Sequence, residues 1–237
     1  MRNVLAIARR ELGSYFASPL AYVVTAAFLV INGVFFYLNL YFGQQATIRP
    51  VVQTILTIFL LLTPVLSMRL LAEEQRTGTL ELLLTAPVRD SEVVLGKYLA
   101  GLGFVGAMLA LTLVYPAILF AFGSPDRGAV LGGYLAMVLF AAAAMALGLF
   151  ASSLTQNQIV AAVIAFAFLL VLWVLDGLSS MFGGKAGEIV GYLALYPHFN
   201  DLTKGVIDTK DVVYYLSLVV GALFLTARSL EARRWRG

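Results

Sequence analysis

The chain has no cysteine, a single histidine and few charges: of its 237 residues, 12% are charged. Without cysteine there is no disulfide, no thiol nucleophile and no cysteine metal site. The lone His198 has no second histidine or carboxylate at ligand spacing, which makes it a poor metal ligand and leaves a structural or interfacial role. There is no Ser/His/Asp set, no His-Glu-x-x-His helix and no phosphate-cradling Gly-x-x-x-x-Gly-Lys-Ser/Thr loop, because Gly183-Gly184-Lys185 lacks both the hydroxyl and the first glycine at the right offset. Hydrolase chemistry and an internal ATPase are therefore not expected.

What the chain has instead is apolar length. Hydrophobic residues make up 61% of it, too much for one soluble core to bury, so the bilayer is the expected solvent. A helix crossing about 30 Å of hydrocarbon needs about 20 mostly apolar residues, with every backbone group satisfied internally. Six such spans are predicted, at 20–41, 51–71, 97–122, 129–151, 159–175 and 212–227. The uncharged run from Gly128 to Leu175 is about twice the length one helix needs, and the polar Ser152 to Gln158 stretch divides it. The first apolar run lies some way into the chain, is long and lacks a small-x-small cleavage pattern, so it reads as a span rather than a cleavable signal. The predicted fold class is an all-α membrane protein forming a single transmembrane domain.

Charge then sets the expected orientation. Arg2, Arg9 and Arg10, then Arg69, Arg76, Arg89 and Lys97, then Arg228, Arg233, Arg234 and Arg236 fall on one side of six spans. Arg49, Arg127, Lys185, Lys204 and Lys210 fall on the other. The positive-inside bias predicts both termini in the cytoplasm. It also accounts for the net charge of +3 without a nucleic-acid partner.

Residues 1–17 are predicted to form an amphipathic helix lying in the cytoplasmic interface, with Arg2, Asn3, Arg9, Arg10, Gly13 and Ser14 on one arc and Val4, Leu5, Ala8, Leu12, Tyr15 and Phe16 on the other. Glu11 projects from the apolar arc. It either pairs with a nearby arginine, lies at the wet edge of the arc, or contacts a partner or another cytoplasmic segment. The connection at 176–211 is expected outside, as one or two short helices around Pro197, and Asp208 with Asp211 resembles a capping box before the sixth span. The spans themselves read as free of ionisable groups, which argues against proton or ion coupling within the membrane. Asn32, Asn39, Pro64 and Pro116 are assigned to packing or kinks, and Ala144, Gly148 and Ser152 recur every fourth residue as a close helix contact.

The densest charge is Glu73-Glu74-Gln75-Arg76-Thr77-Gly78-Thr79-Leu80-Glu81, between the second and third spans. Prenyl-protein-processing membrane proteases use Glu-Glu-x-x-x-Arg with histidines on later helices. Here the spacing is Glu-Glu-x-Arg and His198 is predicted on the opposite side, so catalysis is not expected. The remaining readings are a solvated turn or a docking element, a charged leading turn followed by the apolar Leu80, Leu82, Leu83 and Leu84 and closed by Pro87.

The stretch from Ala72 to Val88 resembles the coupling segment of permease subunits of the type-2 ABC exporter (ABC-2) family, most closely the gliding-motility type, with nitrous-oxide-reductase copper-maturation permeases as relatives. Arg10-Glu11-Leu12 through Tyr22, Ala151 through Gln158, and His198-Phe199 through Tyr215 fit the same pattern in order. The resemblance implies a non-catalytic membrane subunit of the bacterial inner membrane. It would pair with a second permease copy or a homologous permease and with two cytoplasmic ATPase subunits that bind ATP and Mg, this chain holding no cofactor or metal. An extracytoplasmic accessory protein is a further implied partner. By analogy Glu73, Glu74, Arg76, Thr77, Gly78, Thr79 and Glu81 would meet the ATPase, Arg10 and Glu11 would brace it from the amphipathic helix, and the outer helices before the sixth span would form a gate. The competing expectation is an anchor that recruits a cytoplasmic complex and transports nothing.

Overall fold

A computed structural model describes residues 2–43, 45–79, 88–182 and 184–234, with side chains to residue 232. Every regular element among them is a helix: α1 (Arg2–Ala17), α2 (Pro19–Gly43), α3 (Arg49–Ser67), α4 (Arg69–Thr77), α5 (Asp90–Leu111), α6 (Val114–Phe122), α7 (Arg127–Leu154), α8 (Gln158–Ser179), α9 (Gly184–Leu193), α10 (Leu195–Thr203) and α11 (Thr209–Arg234). Six stretches are long and apolar enough to cross a membrane: Pro19–Gly43, Arg49–Thr77, Asp90–Phe122, Arg127–Leu154, Gln158–Ser179 and Thr209–Ala232. Each contains one expected span, and several run past it.

The fourth of these is the hub. Its most apolar window is 78% buried within the protein, against 22%, 17% and 22% for the first, fifth and sixth. Small residues make that burial possible, since they let neighbouring backbones approach closely. A Cβ on Gly148 would lie 2.0 Å from Ser67 Oγ, and one on Gly132 would lie 2.2 Å from the Leu202 carbonyl oxygen. The expected small-residue stripe thus meets the second span at its break, and the turn after α10 rests on the same helix.

Two spans carry an interruption of the regular helix, and each interruption has an identifiable partner. The second span divides at Met68 between α3 and α4. Ser152 Oγ of α7 enters the helix ladder there, accepting from the Leu71 and Ala72 N–H groups at 3.0 and 2.9 Å and donating to the Met68 carbonyl at 2.7 Å. Gln75 Nε2 adds a donation to the Ser153 carbonyl at 3.1 Å. The third span divides at Thr112 and Leu113, between α5 and α6. Pro116 cannot donate to the carbonyl four residues back, and the Tyr134 hydroxyl donates to that Thr112 oxygen instead, at 2.8 Å.

The charged turn Glu73–Thr77 closes α4 at the end of the second membrane-length stretch and stops at Gly78, where φ is +73°; residues 80–87, which continue the stretch that resembles a coupling segment, lie outside the described residues. The structure corrects two expectations. Asp208 caps α11, accepting from the Lys210 N–H at 3.1 Å. The reciprocal half of the capping box does not form, because the Asp211 carboxylate turns to His198. The spans are not wholly free of buried ionisable side chains either: Lys97, near the start of the third, is 1% exposed and Asp211, near the start of the sixth, is 0% exposed.

Gly148→Val is expected to lower stability by about 1–3 kcal/mol through overpacking against Ser67. Gly106→Ala, where an added Cβ meets nothing within 4 Å, is expected to stay within about 0.5 kcal/mol of the parent. Thermal unfolding in detergent compares the two.

Candidate functional site

Three helices converge on one ammonium group. Lys97 lies in the second turn of α5, beside Gly96. An added Cβ at Gly96 would stand 2.7 Å from the Ile7 side chain and 3.1 Å from the Val4 carbonyl. The absent side chain is what lets α1 lie directly on α5. At that closeness the Lys97 side chain is left only 1% exposed. Its Nζ donates to Glu11 Oε1 of α1 at 3.0 Å and to Glu74 Oε1 of α4 at 2.7 Å. Of the readings left open for Glu11, contact with another segment of this chain is the one observed.

The packed stripe of α1 explains the rest of the contact. Asn3, Val4, Ile7, Glu11, Leu12 and Tyr15 are all at least partly covered, while Leu5 and Phe16 stay exposed. Asn3 Nδ2 donates to Glu92 Oε2 at 3.2 Å. The Tyr15 ring stacks on Phe104 with centroids 5.1 Å apart, and its hydroxyl donates to the Leu66 carbonyl at 2.8 Å. The Arg69 guanidinium lies 4.4 Å over the same ring. Burial pushes the Tyr15 pKa up to about 12, opposed by the Arg69 charge and its hydrogen bond. A polar cavity of about 280 Å³ opens beside this contact, lined among others by Arg10, Glu11, Ser14, Arg69, Glu73 and Glu74.

The residues expected to dock a partner separate into two sets. Glu74 is turned inward to Lys97, and Glu11 with it. Glu73, Arg76, Thr77, Gly78 and Thr79 are exposed. Thr77 Oγ1 donates to the Glu73 carbonyl at 3.0 Å and lies 2.9 Å from Thr79 Oγ1, closing the turn at Gly78. Arg76 shares an open depression with Gln156, Asn157, Gln158 and Ile159 of the turn between α7 and α8. Two separate polar stretches of the sequence thereby form one surface. Glu81 and the following residues to Pro87 lie outside the described residues.

This charged end also receives the end of the sixth span, since Ser229 Oγ donates to the Ser153 carbonyl at 3.4 Å. The opposite end holds His198. Its Nδ1 lies 2.6 Å from Asp211 Oδ1, its Nε2 lies 2.9 Å from the Tyr192 carbonyl oxygen, and its ring stacks on Tyr214 at 4.1 Å. These contacts clasp α9 and α10 to α11. Among the described residues no group of three or more His, Asp or Glu side chains could hold a metal ion.

Sequence reasoning missed Lys97, which entered only as one of the basic residues setting orientation. The available signal was Glu11, a carboxylate on an apolar arc that required a cation from a neighbouring helix. Ser152 was placed in the small-residue stripe, but its bonds to the second span were not foreseen, because a hydroxyl that enters another helix's ladder leaves no local pattern.

The family model described as "ABC-2 family transporter protein" matches residues 5–211. Two curated relatives, both described as "Probable multidrug ABC transporter permease YbhR", come from Escherichia coli strains K12 and O157:H7. Each is 28% identical to this chain over 135 residues, covering 56% of the chain and 36% of the relative. The match thus spans little more than a third of the relatives' own length.

Tyr15→Phe, which keeps the ring and removes its donor, is expected to cost about 1 kcal/mol, and Tyr15→Ala about 3–5 kcal/mol. With its folded pKa raised, Tyr15 contributes stability that is complete below about pH 10, the unfolded tyrosine value. That contribution declines as pH climbs through about 12. Chemical denaturation of parent and Tyr15→Phe across that range should show the parent's advantage shrinking at the alkaline end.

Proposed function

The chain belongs to the ABC-2 transporter family, and from that premise we propose that it is the membrane permease subunit of an ABC exporter, driven by ATP that separate cytoplasmic ATPase subunits bind with Mg and hydrolyse. The observation carrying the proposal is the placement of Glu73, Arg76, Thr77, Gly78 and Thr79, exposed at the end of a helix continuous with the second span. A partner pressing on this turn pushes directly on a membrane-crossing element, which is the mechanical requirement for coupling hydrolysis to transport.

The charged end is assigned to the cytoplasm with both termini, on the distribution of Lys and Arg, and the membrane to the bacterial inner membrane. Glu73, Arg76, Thr77, Gly78, Thr79 and Glu81 form the docking edge. Glu74, Glu11 and Arg10 support it from behind. Two permease copies, or this chain with a homologous one, enclose the path. The α9–α10 pair, clasped by His198, closes its outer mouth, where an accessory protein engages. Within the family the resemblance of the Ala72 to Val88 stretch supports the gliding-motility type, with copper-maturation permeases as relatives.

The test is copurification with the cognate ATPase from native membranes, followed by hydrolysis measured in liposomes. Glu73→Ala combined with Arg76→Ala, two exposed positions, is expected to leave insertion unchanged and to abolish recovery of the ATPase. Full recovery, with hydrolysis equal to the parent's, refutes the docking assignment. A parent complex that never hydrolyses ATP refutes the exporter reading and leaves an anchor.

A further inference from the structure

We propose that Lys97 is the positioning residue of this site: its ammonium, shared by Glu11 and Glu74, obliges α1, α4 and the start of the third span to shift as one body when α4 is displaced. The inference rests on the exporter reading above and adds to it the route by which a push on the docking edge reaches the third span.

The chemistry of the cluster gives Lys97 this role rather than either glutamate. One ammonium faces two carboxylates. Losing either carboxylate leaves Lys97 still paired, whereas losing the ammonium leaves two like charges facing each other across three helices. Glu74 is the more dependent of the two. Its Oε2 is buried and has no hydrogen-bond partner among the described residues, so Lys97, bound to its other oxygen, is what offsets its charge. Glu11 and Glu74 are not joined by a short chain connection: one lies before the first span and the other at the end of the second. On its other side α4 is fixed to α7 through Ser152 and Gln75. The ammonium therefore decides whether a movement of α4 is shared with α1 and α5 or absorbed against α7.

The variant series follows from this asymmetry. Lys97→Met removes the joint and leaves the repulsion, while Lys97→Arg keeps the charge. The triple change Lys97→Met, Glu11→Gln and Glu74→Gln removes joint and repulsion together, so the fold survives without the coupling. Because the chain contains no cysteine, spin labels can be attached at introduced cysteines alone. Leu5→Cys on α1 and Leu154→Cys at the end of α7 form one pair, and Leu99→Cys with Leu154→Cys the other. All three positions are exposed.

In the full chain in lipid nanodiscs, the Leu5–Leu154 distance distribution is expected to be narrow in the parent and in Lys97→Arg, and broad in the triple variant. An unchanged width in the triple variant overturns the proposal whether or not an ATPase is ever found. In the complex with the copurifying ATPase, addition of ATP and Mg is expected to shift both label pairs in the parent, and the triple variant is expected to lose the shift per ATP hydrolysed. Parent-sized shifts in the triple variant overturn the transmission role. Absence of any shift in the parent overturns the exporter reading, and with it this route.

Discussion

A lysine ammonium that cannot reach water must be met by carboxylates, and at Lys97 those carboxylates come from two other helices. Moving an isolated charge out of water costs several kcal/mol even after relaxation, and removing one partner from a buried pair costs about 3–5 kcal/mol. Lys97 is 1% exposed, while Glu11 and Glu74 keep 24% and 25% of their side-chain surface. The two glutamate side chains thus keep some exposure while the lysine keeps almost none, although Glu74 Oε2 is itself buried. That asymmetry makes the cluster a fixed point. The helix before the first span, the end of the second and the start of the third cannot separate without exposing or orphaning a charge.

The rest of the architecture is consistent with such a point at one end of the bundle. Gly96 lets α1 come close enough to close over Lys97, and Tyr15 extends the same contact towards α3 through its bond to Leu66. Gly148 and Ser152 let α7 take up the break in the second span, so α4 is gripped from both sides. What remains outside this grip is the short exposed turn ending at Gly78. The clasp at the opposite end holds the imidazole between the Asp211 carboxylate and the Tyr192 carbonyl, stacked on Tyr214, and ties α9 and α10 to α11.

Much of the fold was legible in the sequence because the bilayer imposes a length. Twenty apolar residues in a row have few alternatives, so each of the six expected spans falls within one of the six membrane-length helical stretches. The helix interruptions and the capping of α11 were less legible. Pro116 marks its break openly, but the break at Met68 is met by the Ser152 hydroxyl, contributed from the fourth span. Asp211 read as half of a local capping box and instead pairs with a histidine thirteen residues earlier. For the site, the charged run was visible as a run, while its division into an inward Glu74 and an outward Glu73 and Arg76 depends on the phase of a helix that continues the second span. Lys97 read as a charge flanking the membrane. Its burial follows from Gly96 and from α1, which lies 86 residues away in sequence from Lys97 at Glu11.

The most direct measurement is a double-mutant cycle on the purified chain, comparing unfolding free energies of the parent, Lys97→Met, Glu74→Gln and the double variant. If the ammonium is the constraint that joins the three helices, the pair should show a coupling of about 1–3 kcal/mol, as charged groups in one buried network do. Strictly additive losses, with no coupling between Lys97 and Glu74, would contradict the account.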